Sequence, residues 1–249
     1  MVKSVGIQGK TVVVTGSADN IGKGIAQRFA EEGANVVVNA RKNVAGGERV
    51  AKQINDAGGK AFFIQADASK PQEAKYLLDQ AVQKFGGVDI LINNAGGYEH
   101  GPFVESTLEH WQRMFDSNLY TAVNCSLEAA KIMKVGSRIV NMASIRGIDR
   151  GGCPGGIAYS AAKSAVISFT KTLAQELAPN ITVNAVAPGF TQSTAFDGAP
   201  PELIDSFIGS TLLKKWLTPR DVADAFFFLA NADGITGEVL VIDAGWNAH

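Results

Sequence analysis

Cysteine and histidine are scarce in this chain, and their scarcity removes whole classes of chemistry. The two cysteines, Cys125 and Cys153, have no metal-binding spacing, and two in a chain of 249 residues make no disulfide framework. That usage fits a reducing, intracellular compartment. The three histidines, His100, His110 and His249, also lack metal spacing and read as surface or structural groups, so no metal is expected. No apolar run approaches the ~20 residues that cross a bilayer, and the opening segment MVKSVGIQGKTVVVTG runs into a strand without a signal-peptide core. Charge of one sign is lacking too. A formal net charge of −1 gives no field for attracting nucleic acid or an anionic membrane. The expectation is a soluble, cytoplasmic protein with neither as a partner. There is no internal repeat, low-complexity stretch or linker, and a composition 46% hydrophobic and 19% charged excludes disorder. The length suits one α/β domain over residues 1–249.

What the chain does have is alternation. Short, nearly continuous apolar runs at residues 11–15 (TVVVT), 34–39 (ANVVVN), 60–66, 88–92, 138–142, 181–187 and 238–243 (EVLVID) are separated by helical patterns. Those helices span 44–57, 71–85, 108–134, from about Tyr159 to Leu177, and 219–230, with a short one inside residues 190–216. Such strands are buried on both faces, so the fold is a parallel sheet with helices on each side. The chemistry-bearing residues lie just past the strands' carboxyl ends, where open α/β sheets bind ligands.

The first strand runs into Gly16-Ser17-Ala18-Asp19-Asn20-Ile21-Gly22 and then a helix. A strand, a glycine turn and a helix N-terminus together let backbone N–H groups approach a pyrophosphate. Asn20 stands where a glycine is expected, and asparagine is the side chain that best tolerates the left-handed conformation. The second strand ends in Ala40-Arg41-Lys42 with no carboxylate. A carboxylate there would bind the ribose hydroxyl of NAD, whereas an arginine suits the 2′-phosphate of NADP. Arg41 therefore favours NADP(H) over NAD(H). Asp19 pulls the other way unless it caps the following helix. Asp67, with Ala68 at the end of the third strand, either accepts from the adenine amino group or is a turn aspartate. Asn118 is unfavourable inside a helical run, which makes it either functional or a solvent-facing residue.

The densest stretch is Ser144 through Lys163, SIRGIDRGGCPGGIAYSAAK. Tyr159 and Lys163 are four apart and share one helix face. A tyrosine hydroxyl titrates near ~10, and a nearby ammonium favours its ionised form. Bringing it near neutrality takes about 4 kcal/mol of differential stabilisation.

Taken together, Thr15-Gly16…Gly22, Asn93-Asn94-Ala95-Gly96, Asn118, Ser144, Tyr159-x-x-x-Lys163 and Pro188-Gly189 closely resemble the short-chain dehydrogenase/reductase family across essentially the whole chain. The resemblance implies a single-domain, doubly wound Rossmann fold, seven parallel strands in the order 3-2-1-4-5-6-7, and commonly a homotetramer. It also implies a catalytic tetrad of Asn118, Ser144, Tyr159 and Lys163. Asn94, Ala95 and Gly96 would line the adenosine side, and Pro188, Gly189 and Thr191 would hold the nicotinamide end. Tyr159 would exchange the proton on the substrate oxygen, Ser144 would hydrogen-bond the developing alkoxide, and Asn118 would hold a water connecting Lys163 to solvent. The terminus around Gly237, Asp243 and Gly245 resembles the part that forms the family's tetramer. Phe226, Phe227 and Phe228 read as core or subunit contact.

Two departures stand out: Asn20, and a Ser144-to-Tyr159 interval longer than the family's usual one, with Gly151, Gly152, Gly155 and Gly156 inside it. Residues 190–216 carry Phe196, Phe207, Ile208, Leu212, Leu213 and Trp216, which read as a partly apolar lid or a packing helix. Tyr98, His100, Ile145, Arg146 and Arg150 surround the expected pocket, and Cys153 is either a reactive thiol or a loop packing residue. Arg146 or Arg150 could meet an anionic substrate, such as the phosphopantetheine arm of an acyl carrier protein. The leading expectation is an NADP-preferring carbonyl reductase nearest the 3-oxoacyl-[acyl-carrier-protein] reductase branch, acting on a small-molecule or acyl-thioester substrate. The alternatives are a sugar, polyol or alcohol dehydrogenase working oxidatively, and a non-catalytic nicotinamide-binding regulator.

Overall fold

A computed structural model describes residues 6–148 and 152–248; Arg150, Gly151 and His249 lie outside them. Strands β1 (Thr11–Val14), β2 (Asn35–Ala40), β3 (Lys60–Gln65), β4 (Ile90–Asn93), β5 (Ser137–Met142), β6 (Ile181–Pro188) and β7 (Val239–Ile242) form one sheet in the order β3-β2-β1-β4-β5-β6-β7. Every neighbouring pair is parallel. The alternating residues of the strands feed two separate cores, as a sheet covered on both faces requires. Val12, Val14, Ile90 and Ile92 pack with Phe29 of α1 (Asn20–Glu31), Ile54 of α2 (Val44–Asp56) and Phe226 of α8 (Pro219–Asn231). Val13, Leu91 and Ile139 face the other way, onto Leu77 of α3 (Pro71–Phe85), Cys125 of α5 (Thr121–Ile132) and Ala174 of α6 (Ile157–Leu177). Phe226 is fully buried, Phe227 meets Phe29 edge-on at 5.6 Å between centroids, and Phe228 stays exposed.

The apolar pattern over residues 108–134 predicts one helix, but the structure divides it. Between α4 (Leu108–Phe115) and α5 lies a π-helical turn, Asp116–Tyr120. Its polar side chains account for the wider turn. Asn118 Nδ2 donates to Met114 O at 2.9 Å and Thr121 Oγ1 to Ser117 O at 3.1 Å, so side chains take carbonyls that backbone amides would otherwise use. Such bulges recur at functional sites. Asn118 is buried, which settles its alternatives against solvent exposure.

A buried polar network ties the elements that carry the site. Asn93 Nδ2, at the end of β4, donates to Ser126 Oγ of α5 at 3.0 Å and to Asn141 Oδ1 of β5 at 2.8 Å. Asn141 Nδ2 in turn donates to Thr170 Oγ1 of α6 at 2.9 Å. These groups are almost without solvent, so removing one strands its partners. Asn141→Ala is expected to lower unfolding stability by about 2 kcal/mol, read as a reduced urea midpoint at constant m-value.

Candidate functional site

The turn after β1 meets the end of β4 in a tight crossing. Thr15 Oγ1 accepts the amides of Asn94 and Ala95, each at 3.0 Å, while Asn94 Nδ2 donates to Thr15 O at 2.9 Å and Gly16 O at 2.8 Å. Glycine is demanded here by contact. A Cβ on Gly22 would lie 2.2 Å from Gly16 O, and one on Gly16, which has φ +62°, would lie 2.9 Å from Ala95 Cα. Asn20 adopts φ +45°, so the left-handed turn survives without its glycine.

Beside this turn opens a cleft of about 470 Å³ along the carboxyl ends of β1, β2, β3 and β4. Of the residues anticipated for cofactor binding, Gly16, Asn20, Ile21, Gly22, Arg41, Asp67, Ala68, Asn94, Ala95 and Gly96 line it. The N-terminus of α1 faces the cleft with no acidic residue in its first turn, which leaves the dipole free for an anion. A glycine cradle, a helix N-terminus and flanking basic groups fit a dinucleotide.

Three of these positions make structural contacts of their own. Ser17 does not line the cleft. Its Oγ donates to Val14 O at 2.7 Å and accepts from Asn39 N at 3.0 Å, because the turn needs that hydroxyl to join β1 and β2. Asp19 is the N-terminal flanking residue of α1 but does not cap it through its side chain; Asn20 Nδ2 and Asn43 Nδ2 occupy its two oxygens at 3.1 and 3.0 Å. Asp67 has one oxygen held by Ser69 N and Oγ, at 3.0 and 2.7 Å, and the other 3.6 Å from Arg41 Nη1. Partial burial pushes that carboxyl upward, but the Ser69 hydrogen bonds and the Arg41 charge together hold it below its ordinary range.

Asn118, Ser144, Tyr159 and Lys163 lie outside the cleft lining but come together beside Gly96, which belongs to it. Lys163 is buried, and its Nζ donates to Met142 O, at the end of β5, at 2.8 Å. Its ammonium lies 5.7 Å from the Tyr159 ring centroid. Gly96 marks where Asn118 and Lys163 approach each other: a Cβ there would stand 2.7 Å from Asn118 Oδ1 and 3.5 Å from Lys163 Nζ. Asn118 Nδ2 also donates to Gly97 O at 2.8 Å, which pins the β4 loop to the π-helical turn. Ser144 Oγ accepts from Arg146 N at 3.1 Å and lies within hydrogen-bonding reach of the Tyr159 hydroxyl. Gly147 lets this turn lie against α6, since a Cβ there would be 2.6 Å from Lys163 C.

The electrostatics depart from the sequence expectation. Burial pulls the Lys163 amine down to about 7, and burial pushes the Tyr159 phenol above its ordinary value of 10.0, against the Ser144 hydrogen bond and the Arg146 charge. The reason is desolvation: enclosure costs both charged forms more than their neighbours return. Tyr159 is thus a neutral phenol in this state, and Lys163 hovers near its own titration point.

Further groups wall the mouth of the site. Tyr98 stands edge-on to Tyr159 with centroids 5.1 Å apart, and its Oη is 3.9 Å from Cys153 Sγ. Burial, then the neighbouring Cys153, pushes the Tyr98 hydroxyl up to about 12. His100 presses on Gly155, whose added Cβ would sit 2.2 Å from His100 Nε2. The Arg146 guanidinium lies 5.4 Å from the centroid of Phe190 and 5.2 Å from that of Trp246. Pro188 ends β6 and Gly189 and Thr191 follow it, all three outside the cleft lining, with Gly189 packed on Asp243. Sequence reasoning passed over Asn43, Ser69, Ser117 and Thr121, which also line the cleft. Only Asn43 left a signal, as an N-cap that accepts from Gly46 N at 3.0 Å. Among the described residues no acidic, histidine and cysteine grouping could hold a metal ion, and no helix is long and apolar enough to cross a membrane.

Comparison with known proteins agrees with this geometry. A family model described as enoyl-(acyl carrier protein) reductase matches residues 16–247. An uncharacterized oxidoreductase of Methylorubrum extorquens is 38% identical over 245 residues, 96% of this chain and 98% of that protein. A 3-oxoacyl-[acyl-carrier-protein] reductase of Staphylococcus epidermidis is 37% identical over 95% of this chain and 98% of its own. Among solved structures, a short-chain dehydrogenase from Burkholderia cenocepacia in complex with NADP superposes with a TM-score of 0.91 at 34% identity, covering 97% of this chain and 99% of that one. The chain belongs to the short-chain dehydrogenase/reductase family, and it is a nicotinamide-dependent oxidoreductase.

Burial of Lys163 has a measurable consequence. Because its folded value is depressed from 10.5 to about 7, the unfolded chain binds a proton that the folded protein does not between about pH 7 and pH 10. Stability from this group is therefore complete above the unfolded value and is lost as the pH falls toward 7. Lys163→Met is expected to melt higher than wild type near pH 7, with the margin shrinking toward pH 9. Thermal melts across that range, kept below tyrosine ionisation, check the sign.

Proposed function

We propose that this protein reduces a ketone, such as a 3-oxoacyl thioester, with NADP(H) favoured over NAD(H) as hydride carrier. The observation that carries the reductive reading is the Ser144 hydroxyl within hydrogen-bonding reach of the Tyr159 hydroxyl. A carbonyl oxygen that gains negative charge needs a proton donor and a second hydrogen-bond donor, and these two hydroxyls supply both. When bound, the nicotinamide supplies the hydride.

The protein's own steps are proton steps. Tyr159 gives its proton to the substrate oxygen while Ser144 holds that oxygen. Lys163, close to its titration point, is suited to pass a proton on, and Asn118 beside it orders the path to solvent. Arg41 and Lys42 line the cleft at the end of β2, where a 2′-phosphate would be received. Asp67 and Ala68 lie against the adenine end, with Asn94, Ala95 and Gly96 along the adenosine. Pro188, Gly189 and Thr191 take the nicotinamide end.

The protein works as a single domain, with residues 190–216 as the lid over the substrate. Phe190 stacks on Phe207 at 4.3 Å, and Phe196 meets Trp216 at 5.2 Å, giving the lid an apolar inner face. A ketone is preferred to the carbon–carbon double bond in the matching family's description because two hydroxyls converge where a carbonyl oxygen would sit. The relatives named for 3-oxoacyl-[acyl-carrier-protein] reduction support the thioester. The exposed Phe103, Val104, Leu108 and Phe228 suit burial between copies in a homotetramer.

Tyr159→Phe is expected to lower kcat by about 10²–10⁴ while NADPH still quenches or shifts fluorescence on binding; near-normal turnover refutes the assignment. The reductive rate is expected to fall in two stages as the pH rises, first near 7 as Lys163 loses the proton it relays and again above the ordinary phenol range as the Tyr159 proton is lost. A rate that instead rises steadily with pH would identify the oxidative direction. NADPH is expected to bind at least about tenfold tighter than NADH at fixed ionic strength, with Arg41→Ala removing that margin of about 1.4 kcal/mol. Equal binding of the two coenzymes would reject the preference.

A further inference from the structure

Asn20 occupies the turn position where the family resemblance expects a glycine, and its side chain reaches a segment 174 residues away. Its Oδ1 accepts the Thr194 backbone amide at 2.9 Å, and its Nδ2 donates to Thr194 Oγ1 at 3.0 Å. The same Nδ2 donates to Asp19 Oδ1 at 3.1 Å, and Asp19 Oδ2 accepts from Asn43 Nδ2 at 3.0 Å. Asn43, Asp19, Asn20 and Thr194 therefore form one polar strap from the loop after β2, through the turn after β1, to the segment after β6. Three of the four residues, Asp19, Asn20 and Asn43, line the cleft, and Thr194 ties them to the segment after β6.

The orientation of the Asn20 amide is determined by its partners. Turning it over would set its oxygen against the Asp19 carboxylate and its NH₂ against the Thr194 N–H, a clash of like groups at both ends. On the Thr194 side, the one-turn 3₁₀ helix Thr194–Phe196 carries Phe196, which packs on Phe207 at 5.8 Å and on Trp216 at 5.2 Å. Phe207 belongs to α7 (Pro201–Gly209), so a tie at Thr194 extends through aromatic contacts to the rest of residues 190–216.

We propose that Asn20 is a positioning residue that clasps residues 190–216 onto the dinucleotide turn, so that cofactor binds and leaves only when the Asn20–Thr194 pair opens. The inference rests on the dinucleotide reading of the cleft. A glycine at position 20 keeps the left-handed turn and loses the clasp, which separates the two contributions of this residue.

The test uses the full-length protein, Asn20→Gly, Thr194→Val and the double variant. In cofactor-free protein, hydrogen exchange in the peptide spanning Thr194 is expected to be faster in Asn20→Gly by about tenfold, the loss of two ordinary hydrogen bonds. Stopped-flow measurements are then expected to show NADPH both associating and dissociating faster, dissociation by about tenfold, with Kd changed much less. Damage to the turn itself would instead slow association and weaken Kd. Thr194→Val keeps the amide donor and is expected to give a smaller effect, and the double variant is expected to release NADPH no faster than Asn20→Gly. Unchanged exchange in Asn20→Gly, or release rates that multiply in the double variant, overturns the clasp. Wild type that binds neither NADPH nor NADH overturns the dinucleotide reading, and the gating with it, while the exchange measurement still reports on the contact itself.

Discussion

An ammonium group sealed inside a protein is expensive to keep, and the position of Lys163 is the constraint around which the site is arranged. Its Nζ has one close backbone partner, Met142 O at the end of β5, and that bond joins α6 to the central sheet. Fixing Lys163 fixes Tyr159 one turn earlier on the same face, and Gly147 lets the turn bearing Ser144 pack flush against the helix. Asn118 arrives from the opposite side, and only a glycine at position 96 leaves space between its amide and the Lys163 amine. The desolvation that makes the lysine costly also lowers its proton affinity toward neutrality, so the cost and the chemistry have one source.

Close approach without side chains is the second recurring device. Gly16, Gly22, Gly96, Gly147 and Gly155 each face an atom that a Cβ would overlap. The first pair opens the cleft, Gly96 and Gly147 leave room for Asn118 and Lys163, and Gly155, at φ +78°, accommodates His100 and so brings the β4 loop against the glycine-rich loop. That loop can be longer than the family's without displacing Ser144 or Tyr159, because each is anchored independently. Ser144 is held by the turn that follows β5, and Tyr159 by α6.

The sheet and its parallel direction were legible in the sequence, because near-continuous apolar runs alternate with helical patterns, and the strand order was legible through the family that the motifs resemble. Helix α3 starts at Pro71 as its fixed φ predicts, and each β-branched run became a strand. The tetrad's convergence was legible only through resemblance, since no spacing rule brings Asn118 from a helix across to Gly96. What escaped was the bonding of polar side chains to backbone carbonyls. The π-helical turn arises from Asn118, Ser117 and Thr121 bonding to nearby carbonyls, and apolar periodicity carries no trace of it. The burial of Tyr159, which raises its hydroxyl, is likewise invisible to a spacing of four.

Asp19 and Arg41 seemed to compete in the sequence, one repelling a 2′-phosphate and the other attracting it. In the folded protein they belong to different assemblies. Both Asp19 oxygens are engaged by amides, Asn20 Nδ2 and Asn43 Nδ2, so the carboxylate serves as the central link of the strap. Arg41 is half exposed at the end of β2, with Asp67 3.6 Å away as its acidic partner. A phosphate approaching Arg41 therefore contends mainly with Asp67, whose other oxygen is already committed to Ser69. At 3.6 Å the pair is a loose contact, whereas a phosphate can accept two parallel bonds from a guanidinium. Competition for the arginine therefore comes from Asp67, at the end of the third strand.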